Sequence, residues 1–297
     1  MLKRIFLTTA LVLSACSTVE DVALPVTASN DKALEFFNEA VFHVKQGEWQ
    51  EGRDSFQSAL RIDPNFVMAN LWGWTEDPIQ TRKYRETAVS NKDNVSDAER
   101  IRVEMWEAGR DGKSSKKLEL AKELVNKYPQ SSEAYVELGG VYSEQYKLDE
   151  AIKAYEDAIK INSDNYDAWR ELAKFHIVVG NNVMLPKDRQ DKSKAIKYAE
   201  EMLRVRPKAP NAHQFRANIE RQHSNFEEAN KLYQKMVDVC NETGSTAKST
   251  ALIISAHNLL FSGQLENSMT RYDEAIAISS TPQTAHNLKL YKAVANL

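Results

Sequence analysis

Two cysteines, six histidines and many scattered carboxylates are the residues of this 297-residue chain that could do chemistry. Cys16 lies in LSACS at the end of the one strongly apolar run, and Cys240 lies more than two hundred residues away in KMVDVCNE. Two thiols could pair in one disulfide or serve separately as nucleophile, ligand or packing group. His43, His176, His213, His223, His257 and His286 are spread singly along the chain. Acids in runs such as LDEAIKAYED fall on the solvated faces of helices, where no pair stands out as an acid/base couple. There is no GxSxG, no HExxH, no glycine-rich phosphate loop and no pair of CxxC knuckles. The expectation is a chain with no catalytic residue, no metal site and no cofactor.

The residues that position Cys16 give it a different chemistry. Lys3 and Arg4 form a basic start, and Ile5 to Ala15 an apolar run of eleven residues. As a helix that run reaches roughly 16 Å, about half of a bilayer core, so it reads as a secretory signal and not as a permanent span. Leu13-Ser14-Ala15-Cys16 resembles the bacterial lipobox. The resemblance implies cleavage before Cys16, a diacylglycerol thioether on its sulfur and a further acyl chain, such as palmitate, on the new amine. One acyl chain holds a protein to a membrane only marginally, so anchoring needs at least two. The alternative is a plain signal peptide with an incidental cysteine. Ser17, in place of an aspartate, tilts the expectation toward the outer membrane, facing the periplasm. With Cys16 as an anchor, Cys240 becomes a lone thiol at the end of an apolar helix face, a small buried hydrophobe.

Loss of residues 1–15 removes two of 39 basic residues and leaves 37 against 42 acids, a formal charge of −5 in place of −3. Such a surface argues against duplex nucleic acid as a partner, since that affinity comes largely from neutralising phosphates. Residues 17–30, STVEDVALPVTASN, lack helical periodicity and read as flexible. The expected organisation is a signal at 1–15, a lipidated tether at 16–30 and one folded unit at 31–297.

That unit repeats. In residues 132–165, Tyr135, Leu138, Gly139 and Tyr142 mark one helix, and Ala151, Tyr155 and Ala158 a second, at spacings of three and four. Small residues permit close approach, and aromatics fill the space between. This resembles the tetratricopeptide repeat, a 34-residue helix–turn–helix unit, with Ser163 where the closing proline normally stands. Similar frames cover 33–66 and 98–131, and further ones start at Tyr166, at Pro210 and near Ala251. The repeat at Tyr166 carries about ten extra residues in NNVMLPKDRQDK. Residues 67–97 fit badly, and their Trp72 and Trp74, with Trp106, are expected to repair the irregular packing. The fold implied is all-α: a right-handed solenoid of about six repeats, the second degenerate, plus a terminal helix at 283–297.

What the resemblance implies about function is binding. In such proteins the first helix of each pair lines a concave groove. The matching positions here include Val136, Gly140, Glu144, Arg170, Lys174, Ile177, Val178, Gln214, Asn218, Arg221 and Gln222. Arg170, Lys174 and Arg221, beside the amides of Gln214 and Asn218, are expected to form one wall able to hold a carboxylate or an extended peptide. The four histidines His43, His176, His213 and His286 fall where the repeat puts large packed residues, which argues against metal. The leading expectation is a non-enzymatic adaptor holding envelope proteins. The alternative is a small-molecule or glycan binder accessory to a cell-wall enzyme, which would need a closed pocket.

Overall fold

The computed structural model describes residues 20–177, 185–279 and 282–295. Cys16, the apolar run before it, Val178 and residues 181–184 of the insertion lie outside that set.

The pattern of residues 132–165 explains the building unit. Helix α7 (Ser132–Glu144) and helix α8 (Leu148–Ile161) cross where Gly139 meets the ring of Tyr155. A Cβ on Gly139 would lie 2.6 Å from Cε1 of that ring, so only glycine admits the crossing, and Tyr155 is then 1% exposed. Ala151, Ala154 and Ala158 bury the rest of the stripe. The same unit recurs as α1 (Asp31–Gln46) with α2 (Trp49–Ile62) and as α5 (Asp97–Arg110) with α6 (Ser114–Lys127). Further pairs are α9 (Tyr166–Lys174) with α10 (Lys192–Val205), α11 (Pro210–Gln222) with α12 (Phe226–Thr243), and α13 (Lys248–Phe261) with α14 (Leu265–Ala277). Helix α15 (Pro282–Ala295) covers the end. Each hairpin packs on the next, so no apolar face depends on its own hairpin alone. Among the described residues there is no strand, and no helix is long and apolar enough to cross a membrane.

Several helix starts are capped by side chains. The Ser96 hydroxyl accepts from the Glu99 amide at 3.3 Å while the Glu99 carboxylate accepts from Ser96 N–H at 3.1 Å, a reciprocal cap on α5. The Asn30 and Asn165 side chains cap α1 and α9 in the same sense.

Residues 67–97 also form a hairpin, α3 (Val67–Trp72) with α4 (Pro78–Asn91), so the described residues hold seven hairpins and a terminal helix, where the sequence suggests about six repeats. Helix α3 stops after six residues because the chain turns away at Gly73, whose Cβ would meet the Ala69 carbonyl oxygen at 2.6 Å. The carbonyls orphaned by this early stop are recovered by Arg85, whose Nη1 donates to Asn70 and Gly73 oxygens at 2.5 and 2.7 Å. Trp72 stacks on Phe37 at 5.6 Å, and Trp74 packs on Phe56 at 5.8 Å. These aromatics fill what a full-length first helix would have occupied, each pair contributing about 1 kcal/mol beyond its buried area.

Residues 20–30 differ from the expected flexible tether. They run as an extended strap across the turns that join successive hairpins. Asp21 accepts from the Ser132 amide and hydroxyl, both at 2.8 Å, and from Asn162 at 2.7 Å. The Val22 amide donates to the Gln130 carbonyl at 2.9 Å. Leu24, 4% exposed, enters the core beside Ile101, Leu120 and Leu124. Thr27 then bonds Glu99 through amide and hydroxyl at 2.8 and 2.6 Å, and Ser29 bonds Asp63 at 2.9 and 2.7 Å. Every carboxylate partner here is distant in sequence, which is why local periodicity does not disclose the strap.

The stack also curls back on itself. The end of α1 reaches α9 and α11, and the start of α2 reaches the turn before α13. Lys45 Nζ pairs with Asp167 at 2.9 Å, and Asn211 Nδ2 donates to the Lys45 carbonyl at 2.8 Å. Arg206 lies between the rings of Phe42 and Tyr166, 5.1 and 5.0 Å from their centres. The Thr246 amide and hydroxyl donate to Glu51 at 2.8 and 2.5 Å. Gly47 serves this clasp twice: at φ +84° it ends α1, and its missing side chain admits Asn211, which a Cβ would approach to 3.3 Å.

Candidate binding cavity on the inner face

Because the first helix of each hairpin faces inward and the clasp joins α1 to α9, five hairpins wall one cavity of about 290 Å³. Val41, Val44 and Lys45 come from α1, Phe56 from α2, and Trp72 and Trp74 from the interrupted repeat. Arg102 comes from α5, Glu133, Val136 and Glu137 from α7, and Asn165, Asp167 and Arg170 from the start of α9. The apolar half joins the aromatic repair of the second repeat to Val41, Val44 and Phe56 of the first, and the charged half draws on four regular repeats. Small-ligand pockets usually run to about 300–1,000 Å³, so this one suits a single long side chain or a small molecule.

The charges are arranged in pairs. Arg102, 4% exposed at its side chain, donates from Nε to Glu137 at 2.5 Å, reaches Glu133 at 3.5 Å and lies 5.1 Å over the Trp72 ring. Arg170 Nη1 pairs with Asp167 at 2.9 Å and its Nη2 with Glu171 at 3.0 Å. Asp167 therefore holds Lys45 and Arg170 together. Burial alone would raise the Asp167 carboxyl, but these two cations outweigh it and hold the group below its ordinary value. Glu137 goes the other way: burial dominates, Arg102 compensates only in part, and its carboxyl is raised.

The residues expected to form one wall are divided between two sites. Arg170 lies in the cavity, as does Val136. Lys174 lies one turn on and shares Glu171 Oε1 with Arg170, at 2.7 Å. Both cations thus already carry carboxylates. On α11, Gln214 and Arg221 are half-buried, whereas Asn218 is 6% exposed and accepts from the Tyr233 hydroxyl at 2.6 Å. Asn218 packs against α12 and is not open to a ligand. Sequence reasoning missed Lys45, Arg102, Glu133, Glu137 and Asp167. One signal was available: Arg102 and Glu137 stand 35 residues apart, close to one repeat length, on neighbouring inward helices.

Other reactive groups have structural partners. Cys240 is free and buried, and burial pushes its thiol up to about 11. His43 pairs with Glu48 at 2.7 Å, His176 accepts from the Asp191 amide at 3.1 Å, and His223 donates to the Ile219 carbonyl at 2.8 Å. Among the described residues no three of His, Cys, Asp and Glu are grouped as a metal would need.

Known proteins speak to the fold. A family model described as tetratricopeptide repeat matches residues 132–175, the stretch containing α7, α8 and α9. Among curated proteins none matches the chain. A tetratricopeptide repeat protein from Parabacteroides merdae, solved as a crystal structure, is 13% identical with a TM-score of 0.51, over 90% of this chain and 100% of that one. MamA residues 41–end from Desulfovibrio magneticus RS-1 is 14% identical with a TM-score of 0.47, over 62% of this chain and 96% of that one. The repeat match over residues 132–175, the consecutive hairpins and the fold shared with the Parabacteroides protein give this chain the fold of an all-α solenoid of tetratricopeptide-like helical hairpins.

Proposed function

We propose that this protein is a non-enzymatic scaffold that holds an extended segment of an envelope protein on its inner face, anchored to a membrane through lipid on Cys16. Solenoids present concave surfaces assembled from successive repeats, and proteins use them to bind other proteins. The observation that carries the reading is the convergence of five hairpins on one aromatic and charged cavity. The charged groups there pair with one another, and no nucleophile stands beside a base, so the lining suits recognition better than turnover. The lipobox-like LSACS supports a site in the cell envelope, and Ser17 favours the outer membrane, facing the periplasm, over the inner membrane.

Crosslinking in the native envelope followed by mass spectrometry tests the adaptor, with one dominant protein partner expected. The same preparation should show an acyl mass excess on the peptide beginning at Cys16. An unmodified mature N-terminus would remove the anchor, and crosslinks to no protein would remove the scaffold.

A second reading, a small-molecule or glycan binder accessory to a cell-wall enzyme, is favoured by one feature: the α1–α9 contact turns an open groove into a walled cavity. A sugar or metabolite that co-purifies in place of a protein would select it.

A further inference from the structure

We infer that the cavity takes a cationic side chain, an arginine or lysine presented by an extended segment of the partner, with its stem against Trp74 and its head at Glu133 and Glu137. This rests on the scaffold reading and names the group that reading leaves open.

The argument is one of unspent capacity. An anionic ligand would need a cation whose charge is not already compensated, and each cavity cation already faces carboxylate. Lys45 has Asp167, Arg170 has Asp167 and Glu171, and Arg102 has Glu137. The carboxylates are less fully used. A carboxylate has room for about four hydrogen bonds. Glu133 lines the cavity, touches Arg102 only at 3.5 Å and has no other hydrogen-bond partner among the described residues, with 42% of its side chain exposed. Glu137 receives one bond, to Oε1, and burial outweighs Arg102 in setting its charge. A second cation would compensate both acids, whereas an anion would face them.

The aromatic wall points the same way. Arg102 already shows how this lining treats a guanidinium: over a tryptophan ring, with its head on a carboxylate. Trp74, half-buried between Phe56 and Trp49, lines the same cavity as the two acids. A volume of about 290 Å³ suits one long basic side chain whose backbone stays outside. An extended peptide offers such a side chain, and its main chain can run along the neighbouring inward helices.

The test uses acetylated, amidated octapeptides of glycine, serine and alanine with one central arginine, lysine or citrulline, titrated into the full chain while the tryptophan indole N–H resonances are followed. Citrulline keeps the shape of arginine and removes its charge. The expected result is saturable binding of the arginine and lysine peptides, at least ten-fold weaker binding of citrulline, and several-fold weaker arginine binding to Glu133→Gln. Glu133 is exposed enough for that variant to fold, which circular dichroism checks. Equal binding of arginine and citrulline peptides, binding of free agmatine as tight as of the peptide, or no binding by any basic peptide would each overturn the proposal. A protein that still crosslinks to an envelope partner but treats arginine and citrulline alike keeps the scaffold and loses the cationic anchor.

Discussion

Three hairpins meet on Arg102: Trp72 from the second, its own α5 from the third, and Glu133 and Glu137 from the fourth. Truncating one member of a buried ion pair leaves the other uncompensated and typically costs about 3–5 kcal/mol. Arg102→Ala should therefore lower unfolding free energy by about 3 kcal/mol in urea titrations. The double change Arg102→Met with Glu137→Leu should be close to neutral, since it removes both charges and keeps the volume. Glu220 makes a second residue-level case. Burial alone would raise its carboxyl, but hydrogen bonds from Lys192, Arg216 and Asn225 and the charge of Arg216 bring it down to about 2. A carboxyl lowered on folding stabilises above its unfolded value near 4.5, and that stability fades as pH falls toward about 2. Thermal melts of Glu220→Gln should accordingly show a shallower loss of stability than wild type across that window. The Glu220 arrangement has no signal in the sequence, and the Arg102–Glu137 pair shows there only as a spacing of about one repeat. Repeat positions identify Val136 and Arg170 as inward-facing, but the partners of a charge are set by the neighbouring repeat.

At the scale of elements, legibility followed locality. Helices α7 and α8 were readable because 3.6-residue periodicity, the Gly139–Tyr155 crossing and the alanines all lie within one 34-residue window. The restart at α5 was readable from Ser96 and Glu99 alone. The strap of residues 20–30 was not, because its order comes from Glu99, Asp63, Gln130 and Ser132, far along the chain. The expectation for this element is specific. The amides of Val22, Thr27 and Ser29 should be protected in hydrogen exchange, as bonded groups are, and not exchange at the rate of a free tail. Leu24→Ala should cost about 2–4 kcal/mol, as for other buried leucines. Rapid exchange at all three amides, with no stability loss in Leu24→Ala, would return these residues to the role of a tether.

The whole molecule depends on the angle accumulated from hairpin to hairpin. No single repeat encodes it, so the sequence supports an open groove while the structure brings α1 back to α9 and α11. The clasp is mostly polar, but its Lys45–Asp167 pair is largely buried, and breaking such a pair typically costs about 3–5 kcal/mol. Lys45→Glu sets a carboxylate against Asp167 and should open the clasp at a cost of about 3 kcal/mol. Spin labels at the exposed positions Gln50 and Asn241, on either side of the clasp, should give one narrow distance in wild type and a broader, longer one in Lys45→Glu. An unchanged distance distribution would mean that other contacts hold the ring.

Site-specific photo-crosslinking in intact cells tests most directly whether the enclosed inner face is where a partner is held. A benzophenone amino acid at Val136, in the cavity wall, is compared with one at Lys153, whose side chain is 73% exposed on α8. A protein adduct from position 136 that is absent from position 153 is the predicted result. Adducts of equal yield from both positions, or none from 136, would contradict the account.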